Sequence, residues 1–366
     1  MPPAMFNAEG AQRLSEEQKH DVVQRAQHVV NDVQIKELSQ IIDVLNDILI
    51  DPQKRYYISI DRLDENWIED KLRYLLIRAL IETTRDFRKV RQAKIIIALR
   101  YDLVDRVFRQ TRDAGFQEEK YEALFLHLNW DKRQLAQVLD ARLNHLVRQR
   151  YTSQPVTYKD LLPKTMEREK TSGIDYMLDR TLMRPRDIIL FFNFCIAKAE
   201  NDPRISAAML KSAEADYSRL RLRSVEQEWL SDYPNLFLAK GILQNRKSDF
   251  RVSDFSGEEI DNLCLKLVIE GGERRDELFE TAQKVVDCEL PAKQFRRVLL
   301  SILYSVGLIG LKLEKHESVL WCYESRREVA PSEIEENDSV SVHPCFWRAL
   351  GVQPSFWRGA RKAKKE

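Results

Sequence analysis

The stretch Arg55-Tyr-Tyr-Ile-Ser-Ile-Asp-Arg-Leu-Asp-Glu-Asn-Trp67 decides the fold that we predict for this chain. It opens with an apolar run, Tyr56 to Ile60, which ends at the acid Asp61. A run with almost no polar interruption predicts a strand covered on both faces, as in parallel α/β sheets. Ligands of open α/β sheets bind at the carboxyl ends of the strands. We therefore expect Asp61 to lie at a ligand site.

Three acids follow the predicted strand, and they fit either a nucleotide-hydrolysing site or the cap of the next helix. Proteins that hydrolyse nucleotides hold Mg²⁺ with an Asp at this point and position the attacking water with a residue nearby. Asp61 fits the first role, and Asp64 or Glu65 fits the second. Acids after a strand also cap the next helix, which is the alternative for Asp64 and Asn66.

The amino-acid composition indicates the class of protein but does not indicate what the protein binds. Lys and Arg number 59 against 58 for Asp and Glu, so the net charge of +1 points to no polyanion or membrane partner. A charged fraction of 32%, few Gly and Pro, and long periodic runs predict a mostly helical chain. The five cysteines are odd in number and scattered, which indicates reduced thiols in a cytoplasmic protein. No run reaches membrane-spanning length, and the N-terminus does not have the pattern of a secretory signal.

Helices and strands are predicted to alternate up to about residue 150, which implies a parallel sheet with right-handed crossovers. Ser15-Glu-Glu-Gln18 has the pattern of a capping box and opens the first predicted helix. The predicted strands end on polar residues. The predicted helices are 15–50, 67–88, 103–109 and 130–148, and the predicted strands are 56–61, 94–99 and 124–128.

The remainder is predicted to be mainly helical until a final pair of strands. Pro185 suits the first turn of a helix, and 250–257 has the composition of a linker. Three helices and a hairpin then predict a winged helix. The helices are 258–270, 276–287 and 291–306, and the strands are 319–324 and 339–343.

The predicted fold class is therefore α/β plus mostly helical. It comprises a partial three-layer α/β P-loop ATPase core, a helical lid and a C-terminal winged helix. The predicted segments are a core at 1–150, a helical lid at 151–250, a winged helix at 251–353 and a basic, disordered tail at 354–366.

An ordered set of segments resembles a known family. The segments are Tyr56 to Trp67, Ile95-Ile-Ile-Ala-Leu-Arg-Tyr-Asp102, Leu128-Asn-Trp-Asp131 with Leu135 and Arg142, Arg184-Pro-Arg-Asp187, and His343-Pro-Cys-Phe346. In this order they resemble the STAND- and KAP-related, AAA-like P-loop ATPases of bacteria and phages, in particular the FunZ-like group. The resemblance covers most of residues 20–352.

The resemblance implies a role for several residues. Asp61 would be the Mg²⁺-binding acid of the Walker B strand, and Arg100 would sense the γ-phosphate of ATP. Arg184 and Pro185, with Arg186 beside them, would belong to a helical lid over the adenine. Alternatively, Arg100 pairs with Asp102, and Arg184 and Arg186 begin a solvated helix.

The chain departs from the family at the phosphate-binding loop. A P-loop needs Gly-x-x-x-x-Gly-Lys-Ser/Thr, because its amides and Lys hold the phosphates. The 366 residues contain no such sequence, and Gly241 is preceded, not followed, by Lys240. We therefore expect a truncated or degenerate family member, which would use ATP and Mg²⁺ only if a longer product or a partner supplies the loop.

Two functions follow from these observations. The first is an ATP-binding regulatory switch, inactive alone, acting in bacterial or phage defence and self-associating through its ATPase faces. The alternative is a non-catalytic DNA-binding or scaffold protein using the winged helix and basic tail. Its contacts would include Lys293, Arg296 and Arg297, at the start of a recognition helix. Four acids in the predicted wing turn would repel phosphate, so we expect only weak, nonspecific nucleic-acid binding: Glu333, Glu335, Glu336 and Asp338.

Overall fold

The computed structural model describes residues 32–65, 68–112, 119–147, 152–200, 202–272, 275–313, 318–325 and 327–355. The chain divides into two compact units, Met1–Leu128 and Asn129–Glu366. The described residues are mostly helical, with two small sheets, as the composition predicts. The structure divides the chain into two units, whereas the sequence predicted four segments. The boundaries of those four segments stay predictions.

The first unit alternates helices with two strands. Its elements are α1 (Asp32–Ile48), β1 (Tyr56–Ile60), α2 (Asp70–Asp86), a 3₁₀ turn (Phe87–Lys89), β2 (Ala93–Ile97), α3 (Tyr101–Gln110) and α4 (Glu119–Glu122). The helices predicted at 67–88 and 103–109, the end of the helix predicted at 15–50 and the first two predicted strands are thus confirmed to within a few residues. The helix predicted at 130–148 is confirmed in the second unit by Lys132–Val147. The capping box at Ser15 and the start of the first predicted helix lie outside the described residues.

β1 and β2 pair in parallel, as the alternating order predicts. Tyr56 stands opposite Ala93, and Ile60 opposite Ile97, so the carboxyl ends of both strands meet at one edge. The prediction that both faces of this strand are covered is wrong for the described structure. Four of the five β1 residues are exposed, and Tyr57 keeps 60% of its accessible surface.

The third predicted strand, 124–128, is not formed. This segment is a turn followed by irregular chain, and Leu126 is 85% exposed. The core of the unit comes instead from α2 and α3, whose apolar stripes pack together. The buried members of this core are Tyr74, Ile77, Ile81, Leu103, Val107, Phe108 and Tyr121.

The second unit is built on a helical core. Its helices are α5 (Lys132–Val147), α6 (Tyr158–Leu161), α7 (Gly173–Leu178), α8 (Pro185–Lys198), α9 (Ala207–Glu228), α10 (Leu236–Ala239), α11 (Gly257–Glu270), α12 (Glu277–Val286), α13 (Ala292–Ser305), α14 (Cys322–Ser325) and α15 (Trp347–Leu350). Pro185 occupies the first turn of α8, as predicted, because its missing N–H has no helical partner there. One continuous apolar core joins these helices to the C-terminal strands.

A three-stranded antiparallel sheet closes this unit. Its order is β3 (Asp249–Arg251), β5 (Ser339–Val342) and β4 (Ile309–Lys312). The three helices predicted at 258–270, 276–287 and 291–306 are confirmed as α11 to α13. The strand predicted at 339–343 is also confirmed. The winged-helix and three-layer assignments stay predictions.

Two predictions in this region are wrong. The segment 250–257 is not a linker, because Phe250 lies in β3 and the side chains of Val252 and Phe255 are buried. The predicted strand 319–324 is not formed either. Leu320 makes a single bridge to Leu311, and the chain then turns into α14.

The predicted basic tail lies outside the described residues from position 356 onward. No described helix combines the length and the apolarity that crossing a membrane requires.

Candidate functional site

The carboxyl ends of β1 and β2 form a small polar edge. Ala98 continues the ladder by donating its N–H to the carbonyl of Ile60 at 2.8 Å. A cavity of about 210 Å³ opens beside this point. Its lining comprises Asp61, Asp64, Ala98, Leu99, Arg100 and Leu103. The structure thus brings together three predicted site residues, Asp61, Asp64 and Arg100.

The turn after β1 holds a strained backbone. Arg62 has a φ of 66°, in the left-handed region that non-glycine residues rarely adopt. Its N–H donates to Asp61 Oδ1 at 2.7 Å, and its Nε lies 2.5 Å from Glu65 Oε1. A conformation of this kind costs on the order of 1 kcal/mol or more and is concentrated at functional sites. The turn sets the direction in which the chain leaves Asp61.

Glu65 is not among the residues that line the cavity, and it makes two contacts elsewhere. Its carboxylate pairs with Arg62, and its carbonyl accepts a hydrogen bond from Arg73 Nη1 at 3.2 Å. Arg73 is a buried residue of α2. Of the two residues predicted to position water, Asp64 lines the cavity and Glu65 does not, and the role itself stays a prediction.

Arg100 is the N-cap residue of α3, and its side chain is paired with Asp102. Its Nε lies 3.0 Å from Asp102 Oδ1, and its Nη2 lies 3.1 Å from Asp102 Oδ2. This confirms the pairing that the sequence left open as an alternative. The same carboxylate also accepts from Arg106 Nη2 at 2.6 Å. Arg106 was not among the predicted site residues, although its spacing of four residues from Asp102 on a helix indicates such a pair.

Metal-binding capacity at this edge is limited. Among the described residues, no group of three or more His, Cys, Asp or Glu side chains is arranged to hold a metal ion. Mg²⁺ is nevertheless commonly bound through one or two carboxylates together with substrate phosphates. Asp61 and Asp64 fit that donor set and do not fit an all-protein metal site.

The predicted lid residues lie in the second unit and have structural contacts there. Arg184 Nη1 donates to both carboxylate oxygens of Glu228 at 3.1 Å, which ties the start of α8 to the end of α9. Pro185 is the first residue of α8, and Arg186 is exposed. The neighbouring Asp187 is buried and pairs with Arg221 of α9 at 3.4 Å. Burial raises the pKa of the Asp187 carboxyl, although the Arg221 guanidinium opposes this.

A larger cavity of about 440 Å³ lies in the second unit, against α5 to α7. Charges of both signs line it, including Arg133, Lys159 and Asp140. Asp140 is engaged with the N–H of Tyr158 at 2.7 Å. The mixed lining does not single out a ligand chemistry.

Comparison with known proteins supports part of the resemblance. Residues 133–226 match the family model of the FunZ-associated C-terminal helical domain. This segment runs from the start of α5 to near the end of α9, and its regular elements in the described residues are helices. The FunZ association is thus supported for the helical segment, whereas the STAND or KAP ATPase assignment stays a prediction.

One curated protein is similar over most of the chain. The "Putative transposon gamma-delta 80.3 kDa protein" of Escherichia coli (strain K12) is 24% identical over 325 residues. The match covers 86% of this chain and 43% of that protein, so the chain spans less than half of its relative's length. No solved structure matches the chain.

Proposed function

We propose that this protein is a nucleotide-dependent switch of the P-loop ATPase type, in which the first unit supplies the acidic side of a Mg²⁺–ATP site. One observation carries the proposal. The register of β1 and β2 brings Asp61, Asp64 and Arg100 to one cavity at the carboxyl edge of a parallel pair. Ligands of open α/β sheets bind at this edge.

The three side chains suit a phosphate-bound Mg²⁺ ion. Asp61 would be a metal ligand, with nucleotide phosphates completing the shell, and Asp64 would orient water. Arg100 offers a planar fork that matches phosphate oxygens. When bound, Mg²⁺ would neutralise phosphate charge, which the two carboxylates alone would repel.

The amides and Lys of a phosphate cradle are not encoded as Gly-x-x-x-x-Gly-Lys-Ser/Thr in these 366 residues. We propose that the 366 residues bind Mg²⁺–ATP weakly through this acidic edge. A longer form of the protein, or a partner subunit meeting this face, would supply the cradle for tight binding and hydrolysis. Self-association through the ATPase faces follows as part of the same proposal.

The helical segment would act as a lid, and this part has weaker support. Arg184 is engaged by Glu228, which favours a role in fixing α8 against α9 over direct contact with adenine. The biological setting we propose is a mobile element or a phage–host conflict. It rests on the earlier resemblance and on the relative's printed name as a transposon protein.

The alternative, a DNA-binding scaffold, has less support from local contacts. Lys293 Nζ lies 3.5 Å from Glu336 Oε1, and Arg296 pairs with the same oxygen. These cations, which would reach phosphate in a recognition helix, are neutralised within the chain. This arrangement weighs against a central role for α13 in DNA recognition.

Metal-directed cleavage tests the proposed site directly. Fe²⁺ can replace Mg²⁺, and with peroxide and ascorbate it cuts the backbone near where it is held. At millimolar ATP we expect cleavage around residues 61–64 and 98–100, mapped by mass spectrometry. Without ATP we expect little, because two carboxylates do not hold the ion alone.

Matched variants make the result specific. Asp61→Asn should abolish ATP-dependent cleavage, whereas Asp86→Asn should not, because that carboxylate is exposed at the end of α2. Cleavage that is independent of ATP, or unchanged in Asp61→Asn, would contradict the proposal.

A further inference from the structure

Arg100 does not extend freely into the cavity that it lines. Its Nε and Nη2 both donate to the carboxylate of Asp102, at 3.0 and 3.1 Å. The two residues sit at the start of α3, with Arg100 as the N-cap residue and Asp102 in the first turn. The pairing is bidentate, which is the geometry that an Arg also uses to bind phosphate.

Asp102 also pairs with Arg106, which lies closer to it and is more buried than Arg100. Arg106 Nη2 lies 2.6 Å from Asp102 Oδ2, and Arg106 Nε donates to the Asp102 carbonyl at 3.2 Å. The Arg106 side chain is 12% exposed and that of Arg100 is 37% exposed. A more buried ion pair is less screened by solvent. Of the two arginines, Arg100 is therefore the one that can leave at lower cost.

We propose that Asp102 and Arg106 form a holding pair that keeps Arg100 aside until a phosphate group enters the cavity, an inference that rests on the proposed nucleotide site. Arg100 would then exchange the Asp102 carboxylate for phosphate oxygens. Asp102 would stay paired with Arg106, so no partly buried carboxylate would be left without a cation. Asp102 and Arg106 are positioning residues in this scheme, and Arg100 makes the ligand contact.

The chemistry of the cavity favours a metal-bound phosphate as the group that releases Arg100. A volume of about 210 Å³ suits a phosphate group better than a whole nucleotide. Asp61 and Asp64 face the same space and would repel a bare phosphate. With Mg²⁺ between the carboxylates and the phosphate, that repulsion becomes attraction, and a polyanion can compete with the single charge of Asp102.

The test measures affinity for Mg²⁺–ATP by isothermal titration calorimetry. Asp102→Asn removes the competing charge, so we expect binding roughly three- to tenfold tighter than in the parent. Arg106→Gln leaves Asp102 wholly to Arg100, so binding should weaken by a similar factor. The control Asp105→Asn should match the parent, because Asp105 pairs with Arg109 on the same helix and does not line the cavity.

A double variant separates this scheme from a local structural effect. In an Arg100→Ala background, Asp102→Asn should no longer tighten binding, since there is no arginine to release. A thermal unfolding curve for each variant checks that the unit stays folded. Tightening that persists without Arg100 would overturn the inference and assign the effect to general charge.

The outcomes also separate this inference from the proposed function. If the parent binds and Asp102→Asn binds no tighter, the holding pair is wrong and the nucleotide site stands. If only Asp102→Asn binds, the holding pair is supported in its strongest form. If neither binds, both proposals fall.

Discussion

Glu214 Oε1 lies 2.8 Å from Arg180 Nε, and both side chains are buried within the helical core of the second unit. Tyr176 donates its hydroxyl to the other carboxylate oxygen at 2.5 Å, and Arg348 Nε lies 3.5 Å from that oxygen. Burial raises the pKa of Tyr176, so its hydroxyl stays a donor. The carboxylate thus joins α7, α9 and the C-terminal α15.

Removing this carboxylate should destabilise the second unit strongly. Glu214→Ala leaves the buried Arg180 without its counterion, so we expect the free energy of unfolding to fall by about 3–5 kcal/mol. Urea denaturation followed by circular dichroism measures this. The control Asp216→Ala, at a partly exposed position of the same helix, loses surface pairs with Lys198 and Arg219 and should change stability by less than about 1 kcal/mol. Equal effects in the two variants would refute the role of the buried cluster.

The C-terminal segment should be part of the same cooperative unit. Phe346 is fully buried, and the N–H of Ala349 donates to Ser218 Oγ on α9 at 3.1 Å. We expect Phe346→Ala to lower the free energy of unfolding by about 3–5 kcal/mol, because it leaves a cavity in the core. Phe237→Ala, at a half-exposed site, is the control and should have a much smaller effect. If Phe346→Ala left the urea midpoint unchanged, the segment would not belong to the core.

The C-terminal segment also packs against the helical domain that matches the family model, beyond the C-terminal end of that match. The match to the family model ends at residue 226, yet α9 packs its buried face against residues that come after β5. The contact joins positions more than 100 residues apart in sequence. Local periodicity cannot reveal such a partner, so the sequence predicted a mainly helical region here but not what covers α9.

The sequence predicted the parallel strand pair and its polar edge, because a short apolar run ending on a charge is a local signal. The sequence did not predict how far the residues of these strands are exposed to solvent. Tyr57 and Ile58 are apolar and nevertheless exposed, since whether a strand is covered depends on elements elsewhere in the chain. The run 124–128 resembled a strand for the same local reason but has no partner strand among the described residues.

The error at the C-terminal strands has a local physical cause. The helix predicted at 291–306 is confirmed as α13, and Gly307 follows its end with a φ of 81°. Glycine takes the left-handed conformation without a Cβ clash, which commonly terminates helices. The apolar residues directly after this glycine form β4 (Ile309–Lys312), whereas the sequence predicted the strand later, at 319–324.

Stability should fall in acid partly because of His343. This imidazole is buried, its Nδ1 accepts from the Cys345 N–H at 3.1 Å, and its Nε2 lies 2.8 Å from the Tyr323 hydroxyl. Burial, with the positive charges of Arg180 and Arg221, lowers the pKa of His343 to about 3. Between that value and the unfolded pKa of about 6.5, only the unfolded state carries the proton. Stability should therefore decline as pH falls below about 6.5, by up to about 1.4 kcal/mol per pH unit from this group.

The measurement is a set of urea denaturation curves from pH 7 to pH 4. His343→Gln should be less stable at pH 7, because it disturbs two hydrogen bonds, and should show a flatter decline with pH. Other titrating groups, including Asp187, are common to both proteins, so the difference in slope isolates His343. Parallel slopes would mean that His343 does not carry this pH dependence.

Nucleic-acid binding should be weak and should come from the tail. Its cations lie outside the described residues: Arg358, Arg361, Lys362, Lys364 and Lys365. We expect sequence-independent binding that weakens steeply between about 50 and 200 mM salt, measured by fluorescence anisotropy on labelled duplex DNA. Deleting residues 357–366 should remove most of it, whereas Lys293→Ala should not. Nanomolar binding that survives the deletion would move α13 to the centre of the function.

The 366-residue chain alone should not hydrolyse ATP at a useful rate, although it carries Asp61 and Arg100. Phosphoryl transfer depends on positioning and on neutralising the β- and γ-phosphates, and a phosphate-binding loop supplies much of both. Each charge-assisted contact to phosphate contributes a few kcal/mol, so losing the cradle should lower the rate by roughly 10³-fold or more. Asp61 cannot compensate, because without metal and phosphate beside it the carboxylate only adds negative charge. A steady-state assay on the purified chain, with Asp61→Asn and Arg100→Ala alongside, measures this. Robust turnover in the parent that both substitutions abolish would mean that another loop, or a neighbouring subunit of the same chain, already holds the phosphates.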